Sequence, residues 1–170
     1  VDALEARKAG AKGRIELDTT RALGRPVNIP QHIADTEQRM SQAAKPLYDQ
    51  FYATPIKVSE DLYRVIDRAR GVIASAKNKM EVDGFDPNDI FYKTNGVSNH
   101  DNAALNARFL DYIKREVDDR AGEAIRRGAD NDARMYTKLA KDLRTEVDKV
   151  LSPSDPSKSV WAQARAAAGE

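Results

Sequence analysis

Apolar residues recur along this chain at steps of three and four. Between Ser59 and Met80 they fall at Leu62, Val65, Ile66, Ala69, Val72, Ile73, Ala76 and Met80. That spacing draws one stripe along a helix and predicts a single element of about 21 residues, roughly 30 Å long. Ser59 ahead of Glu60 and Asp61 reads as an N-cap followed by acids that suit the positive end of the helix dipole. Gly84 reads as the stop, because glycine adopts the left-handed conformation that follows a helix end. A second stripe, Leu105, Phe109, Tyr112, Ile113, Val117, Ala121, Ala124 and Ile125, predicts a helix over residues 102–127. Its polar side carries Asp111 with Arg115, Glu116 with Arg120 and Glu123 with Arg127. Each acid precedes its base by one turn, the pattern of a solvated face. Gly128 closes that helix, and Asp130 or Asn131 is predicted to cap the next, whose stripe is Ala133, Tyr136, Leu139, Ala140, Leu143, Val147 and Val150. A link this short predicts an antiparallel hairpin. Phe109, Ile113, Val117, Leu139, Leu143 and Val147 should be its buried residues, with the Leu62–Met80 helix as third member.

The remaining segments are less regular. Residues 31–52 place Ile33, Met40, Ala43, Ala44, Leu47 and Phe51 on one face, with Pro46 predicting a kink or break near Ala44 and Lys45. Residues 1–23 read as helix weakened by Gly10 and Gly13, and residues 25–30 as an extended, proline-bearing linker. Thr54-Pro55-Ile56 reads as a tight helix-to-helix connection. Residues 152–157 read as a loop, after which Ser159 caps a short helix over 160–168 that bears Trp161. Ile90 to Thr94 favours strand, and Asn95-Gly96 is a turn signal. The expected fold is therefore all-α: an elongated bundle of helical hairpins, with at most a short extended segment near residues 88–97. Residues 1–30 are expected to form an N-terminal helical arm and linker, and residues 31–170 the helical domain. The chain begins with Val, which suggests an excised fragment of a longer polypeptide.

Composition narrows the chemistry. Lys and Arg number 28 against 27 Asp and Glu, so the net charge of +1 gives little drive for counterion release on nucleic acid. The basic residues are also interleaved with acids, as in Lys114-Arg115-Glu116, so nucleic acid is disfavoured as a partner. There are 0 cysteines, which excludes disulfides, thiolate metal sites and cysteine nucleophiles. No signal peptide is visible, and no apolar run is long enough to span a membrane.

Candidate site residues each have a plainer explanation. His32 and His100 are the two histidines, and neither has a second ligand one turn away. Asp83 to Asp89 superficially resembles a calcium loop, but Gly84 and Pro87 break the ligand register and Asx-turn chemistry accounts for it. Asp130-Asn131-Asp132 reads as a helix cap. Glu116, Asp118 and Asp119 share one helix, but adjacent positions diverge by about 100° and do not converge on one atom. Tyr48, Phe51, Tyr52 and Tyr63 read as core where helices cross near Pro55. The expectation is a chain that is not an enzyme, with no catalytic, cofactor-binding or metal residues, no cofactor and no small-molecule ligand.

Three stretches together carry a resemblance. They are Ala44-Lys45-Pro46-Leu47-Tyr48-Asp49, then Leu110-Asp111-Tyr112-Ile113-Lys114-Arg115 with Val117-Asp118-Asp119, then Gly128 with Ala133-Arg134 and the closing Ala164-Arg165-Ala166-Ala167. In this order the chain resembles a helical region of large uncharacterised, virion-associated proteins of prophages and tailed phages of proteobacteria. The resemblance covers most of residues 14–169 and carries over no catalytic residue. It implies a non-enzymatic structural or interaction module whose partners are proteins, either itself or other phage proteins. The implied location is the virion or the host cytoplasm during assembly. The alternatives are an accessory helical region of a phage cell-wall-degrading enzyme, its catalytic module elsewhere, or a bacterial regulatory or DNA-associated helical protein.

Overall fold

The structure, a computed structural model, describes residues 29–94, 97–98 and 104–170. The chain divides into two units, Val1–Ala43 and Ala44–Glu170. The predicted helix over 1–23, the linker residues 25–28 and His100 lie outside the described residues. Among the described residues six α-helices dominate: α1 (Ile29–Tyr52), α2 (Glu60–Arg68), α3 (Arg70–Val82), α4 (Ala107–Arg126), α5 (Asp130–Leu151) and α6 (Val160–Ala168). Strands β1 (Pro55–Lys57), β2 (Lys93–Thr94), β3 (Val97–Ser98) and β4 (Ala104–Asn106) form two two-stranded antiparallel ribbons, β1 with β4 and β2 with β3. The fold is all-α. None of the described helices is long and apolar enough to cross a membrane.

The α4–α5 hairpin is the centre of the second unit, with α3 packed on α4 and α2 on α5. All six residues predicted for its interior are buried: Phe109, Ile113, Val117, Leu139, Leu143 and Val147. Gly128, at φ +69°, ends α4. Its N–H bonds the Ile125 carbonyl at 3.1 Å and the Ala129 N–H bonds Ala124 at 2.9 Å, so both orphan carbonyls are satisfied as the chain reverses. Gly84 ends α3 in the same way, at φ +88°. At the far end, Ser159 caps α6 by accepting from the Ala162 N–H at 2.9 Å, and the Trp161 ring stacks on Phe51 of α1 at 5.0 Å.

Several expectations need correction. The Leu62–Met80 stripe is two helices, not one. Ser59 caps the first as predicted, through the Leu62 N–H. At Ala69, however, ψ falls to 1° and the N–H is shared between the Val65 and Ile66 carbonyls. This tight turn lets α2 lie on α5 and α3 on α4. Thr54-Pro55-Ile56 is not merely a connection, because Ile56 pairs with Leu105 in a ribbon. Leu105 is accordingly a strand residue, and α4 begins only at Ala107, capped by the Asn106 side chain on the Arg108 N–H at 3.0 Å. The 90–92 segment pairs with β4 on its other side, with Phe91 bridged to Leu105. Where at most a short extended segment was expected near 88–97, two strands, β2 and β3, pair antiparallel. Ile29 and Pro30, read as linker, open α1, where a proline's missing N–H costs nothing in the first turn. Pro46 does not break α1, which continues to Tyr52. Asp130 does not cap α5. Ala129 holds that position without a side-chain bond, and Asp130 and Asp132 lie in the first turn, where their charge favours the helix dipole.

Candidate functional site

The first three turns of α4 carry the most unusual chemistry in the chain. Phe109, Leu110, Tyr112 and Ile113 are apolar at four of five successive positions and are all buried, so this part of the helix is enclosed on most sides. Asp111, between them, is only 1% exposed, and Lys114 and Glu116 are buried as well. On the face read from sequence as solvated, the acids Asp111 and Glu116 are therefore interior, while their partners Arg115 and Arg120 reach solvent. Only the Glu123–Arg127 pair, at 3.8 Å, lies fully in solvent.

Each buried charge has named partners. Asp111 accepts from the Tyr52 hydroxyl at 2.8 Å and from Arg115 at 2.7 Å, and Arg115 also donates to the Tyr52 oxygen at 3.1 Å. Lys114 is held between Asp118, at 3.0 Å, and the Glu170 carboxylate, which also accepts from Tyr48 at 3.3 Å. Glu116 receives Lys79 of α3 at 2.6 Å and Arg120 at 3.3 Å. A separate knot holds α6, where Asp148 accepts from the Ser159 hydroxyl at 2.6 Å and Arg165 at 2.7 Å. The Arg108 guanidinium sits between the rings of Tyr52, at 4.1 Å, and Phe85, at 3.9 Å. Stacking of this kind holds the planar cation in place on both faces.

Lys114, Arg115, Asp118 and Glu170 border a cleft of about 760 Å³, lined also by Lys79, Asp83, Tyr112, Asp119 and Arg144. Burial, then the bond to Asp83, pushes the Tyr112 hydroxyl up to about 12. Burial first, and then the Asp111 charge, raises Tyr48 and Tyr52 as well. These phenols stay neutral donors at physiological pH. Hydrogen bonds to Asp119 and Glu116 hold the Lys79 ammonium above its ordinary value. Cation and carboxylate alternate around the cleft and neutralise one another, which ties α3, α4 and α5 in register. Where one member is buried, as Glu116 and Lys114 are, removing its partner is costly although the pair adds little net stability.

Of the acids weighed from sequence, the adjacent Asp118 and Asp119 diverge, but Glu116 and Asp119, one turn apart, converge on one cation against expectation. Glu116 and Asp119 meet on Lys79, while Asp118 turns to Lys114 and, at 3.7 Å, Arg144. In the calcium-like run, Asp86 accepts from the Asn88 N–H at 2.9 Å in an Asx turn, Asp83 takes the Tyr112 hydroxyl, and Asp89 pairs with Lys93 at 3.2 Å. Among the described residues no group of three His, Asp or Glu could hold a metal ion. His32 is exposed on α1, where its carbonyl accepts from the Thr36 hydroxyl. Phe51 is core and Tyr48 and Tyr52 pack against it, but Tyr63, expected there too, is 63% exposed.

The predicted apolar face of α1 is interior only from Ala44 onward. Among the described residues of α1, none of 30–43 is buried, and Ile33 is 52% exposed. Comparison with family models, curated proteins and solved structures gives no match to this chain.

Proposed function

We propose that the chain is a non-enzymatic structural and interaction module of a phage or prophage protein, and that its task is to present helix faces to partner chains. One observation carries this reading. Residues 30–43 of α1 keep a helical stripe with no buried side chain among them, while the buried charges of the second unit are already engaged with one another. An exposed stripe on an ordered helix is the feature expected of a surface made to be covered. The Pro46-Leu47-Tyr48 and Leu110-to-Arg115 blocks supply the phage setting by their resemblance. In that setting the partners are proteins, and the chain resides in the virion or in the host cytoplasm during assembly.

The test is fractionation after prophage induction in the host that carries the gene. Particles banded on a density gradient should contain the chain, detected by antibody, and washing in high salt should not strip it. A chain found only in the soluble fraction would overturn the reading. So would recovery as part of a lytic enzyme, or salt-sensitive binding to DNA in place of particles.

A further inference from the structure

We propose that Arg108 anchors a carboxylate-binding site, and that its ligand is an aspartate or glutamate side chain on an acidic segment of a partner protein. The proposal rests on the reading above and names the chemistry of the partner. Arg108 is half-buried in the first turn of α4, where the helix dipole disfavours a cation. Its guanidinium is clamped between the rings of Tyr52, at 4.1 Å, and Phe85, at 3.9 Å. With both faces covered, what remains open is the planar edge that carries its N–H donors.

Among the described residues no acceptor meets that edge; the bond Arg108 makes is from its backbone N–H to Asn106. The cations beside it are all paired: Arg115 on Asp111 at 2.7 Å, Lys114 on Asp118 at 3.0 Å and Lys79 on Glu116 at 2.6 Å. A guanidinium fixed by two rings has already given up the rotamer freedom that binding would otherwise cost. It presents a preset fork whose shape matches a carboxylate or phosphate. A rule of local electrostatics is broken at this residue, and nothing inside the described fold pairs the charge.

The surroundings choose between the two oxyanions and indicate what carries the chosen one. Asp83, two residues before Phe85, is turned to the Tyr112 hydroxyl and keeps its negative charge close to the clamp. A doubly charged phosphate is repelled by it more than a single carboxylate is. Phe85 meets the Tyr112 ring edge-on at 6.2 Å, and Tyr112 and Arg115 lead from the clamp into the cleft of about 760 Å³. That space exceeds one side chain and suits a segment of polypeptide. Phe85 and Val82, 37% and 85% exposed, offer apolar contact to the residues that flank the acid.

Heteronuclear NMR of the full chain reads the site through the side-chain Nε–H of Arg108 and the backbone amides of Phe85 and Tyr112. A capped leucine–glutamate–leucine peptide should shift these resonances saturably, and the same peptide with glutamine in place of glutamate should not. Arg108→Lys keeps the charge without the planar fork and should weaken binding about tenfold, read at the two amides. Phe85→Leu takes one ring from the clamp at an exposed position and should weaken it as well, with far-UV circular dichroism unchanged in both variants. An Arg108 resonance that does not move with the glutamate peptide overturns the proposal, and is what a purely structural staple would give. Equal binding of the glutamine peptide, or equal affinity in the native chain and Arg108→Lys, overturns it too. So does inorganic phosphate binding more tightly than the peptide. A chain that ignores the peptide yet bands with particles sinks the site alone. Absence from particles sinks the functional reading, whatever Arg108 binds.

Discussion

Asp148 joins α6 to the rest of its unit through two bonds made in the interior, to Ser159 and to Arg165. Both members of the ion pair are almost fully enclosed, at 10% and 11% side-chain exposure. Asp148→Ala would leave the Arg165 charge buried without its partner, and should lower the unfolding free energy in urea by about 3–5 kcal/mol. Glu123→Ala, on the solvent side of α4, should cost well under 1 kcal/mol in the same melt. A carboxylate at the α2–α5 contact gives a pH signature. Bonds from Lys138, and then from Arg68, hold Asp142 below its ordinary value of 3.8. A depressed folded value stabilises above the unfolded one and is lost as pH falls through the folded one. The stability gap between the native chain and Asp142→Asn should therefore be complete near neutrality and close below about pH 4. The sequence pairs Asp111–Arg115 and Glu116–Arg120 were readable, but the burial of their acids was not. One-turn spacing looks the same in water and in a core. The hint lay in Phe109, Leu110, Tyr112 and Ile113, which wrap too much of the helix for the acid among them to reach solvent.

The helices themselves were largely readable because their ends carry local chemistry. Ser59, Gly84, Gly128 and Ser159 all act where they were expected. Glycine is needed at Gly128 by its φ of +69°, and no neighbouring atom would meet a new methyl group there. Gly128→Ala should accordingly cost about 1–2 kcal/mol, all of it conformational. Gly71, in the first turn of α3, is equally uncrowded and carries no such φ. Gly71→Ala should stabilise by about 0.5–1 kcal/mol, and thermal melts of the two variants should move in opposite directions. The break at Ala69 escaped the sequence for a physical reason. The stripe stays in phase through it, and what bends the chain is the choice of different neighbours on either side. Asn106 was missed as a cap because Leu105 before it is apolar and fits the stripe equally well.

The all-α class follows from several stripes that need one another, and it was evident before any coordinate. The β1–β4 ribbon was not. Each of its strands is three residues long with one buried side chain, Ile56 or Leu105, too few to show an alternation. Its partners are also far apart in the chain, beyond the reach of any local pattern. That separation has a consequence for the order of events during folding. Closing a loop of roughly 50 residues to gain one short ladder is entropically unfavourable until the helices between have already collapsed. The ribbon should form after the rate-limiting step, as a late clasp on an assembled helical core. Ile56→Ala should then destabilise by about 2–5 kcal/mol almost wholly through faster unfolding, and leave the refolding rate in stopped-flow nearly unchanged. If refolding slows in proportion instead, the two strands meet before the helices do.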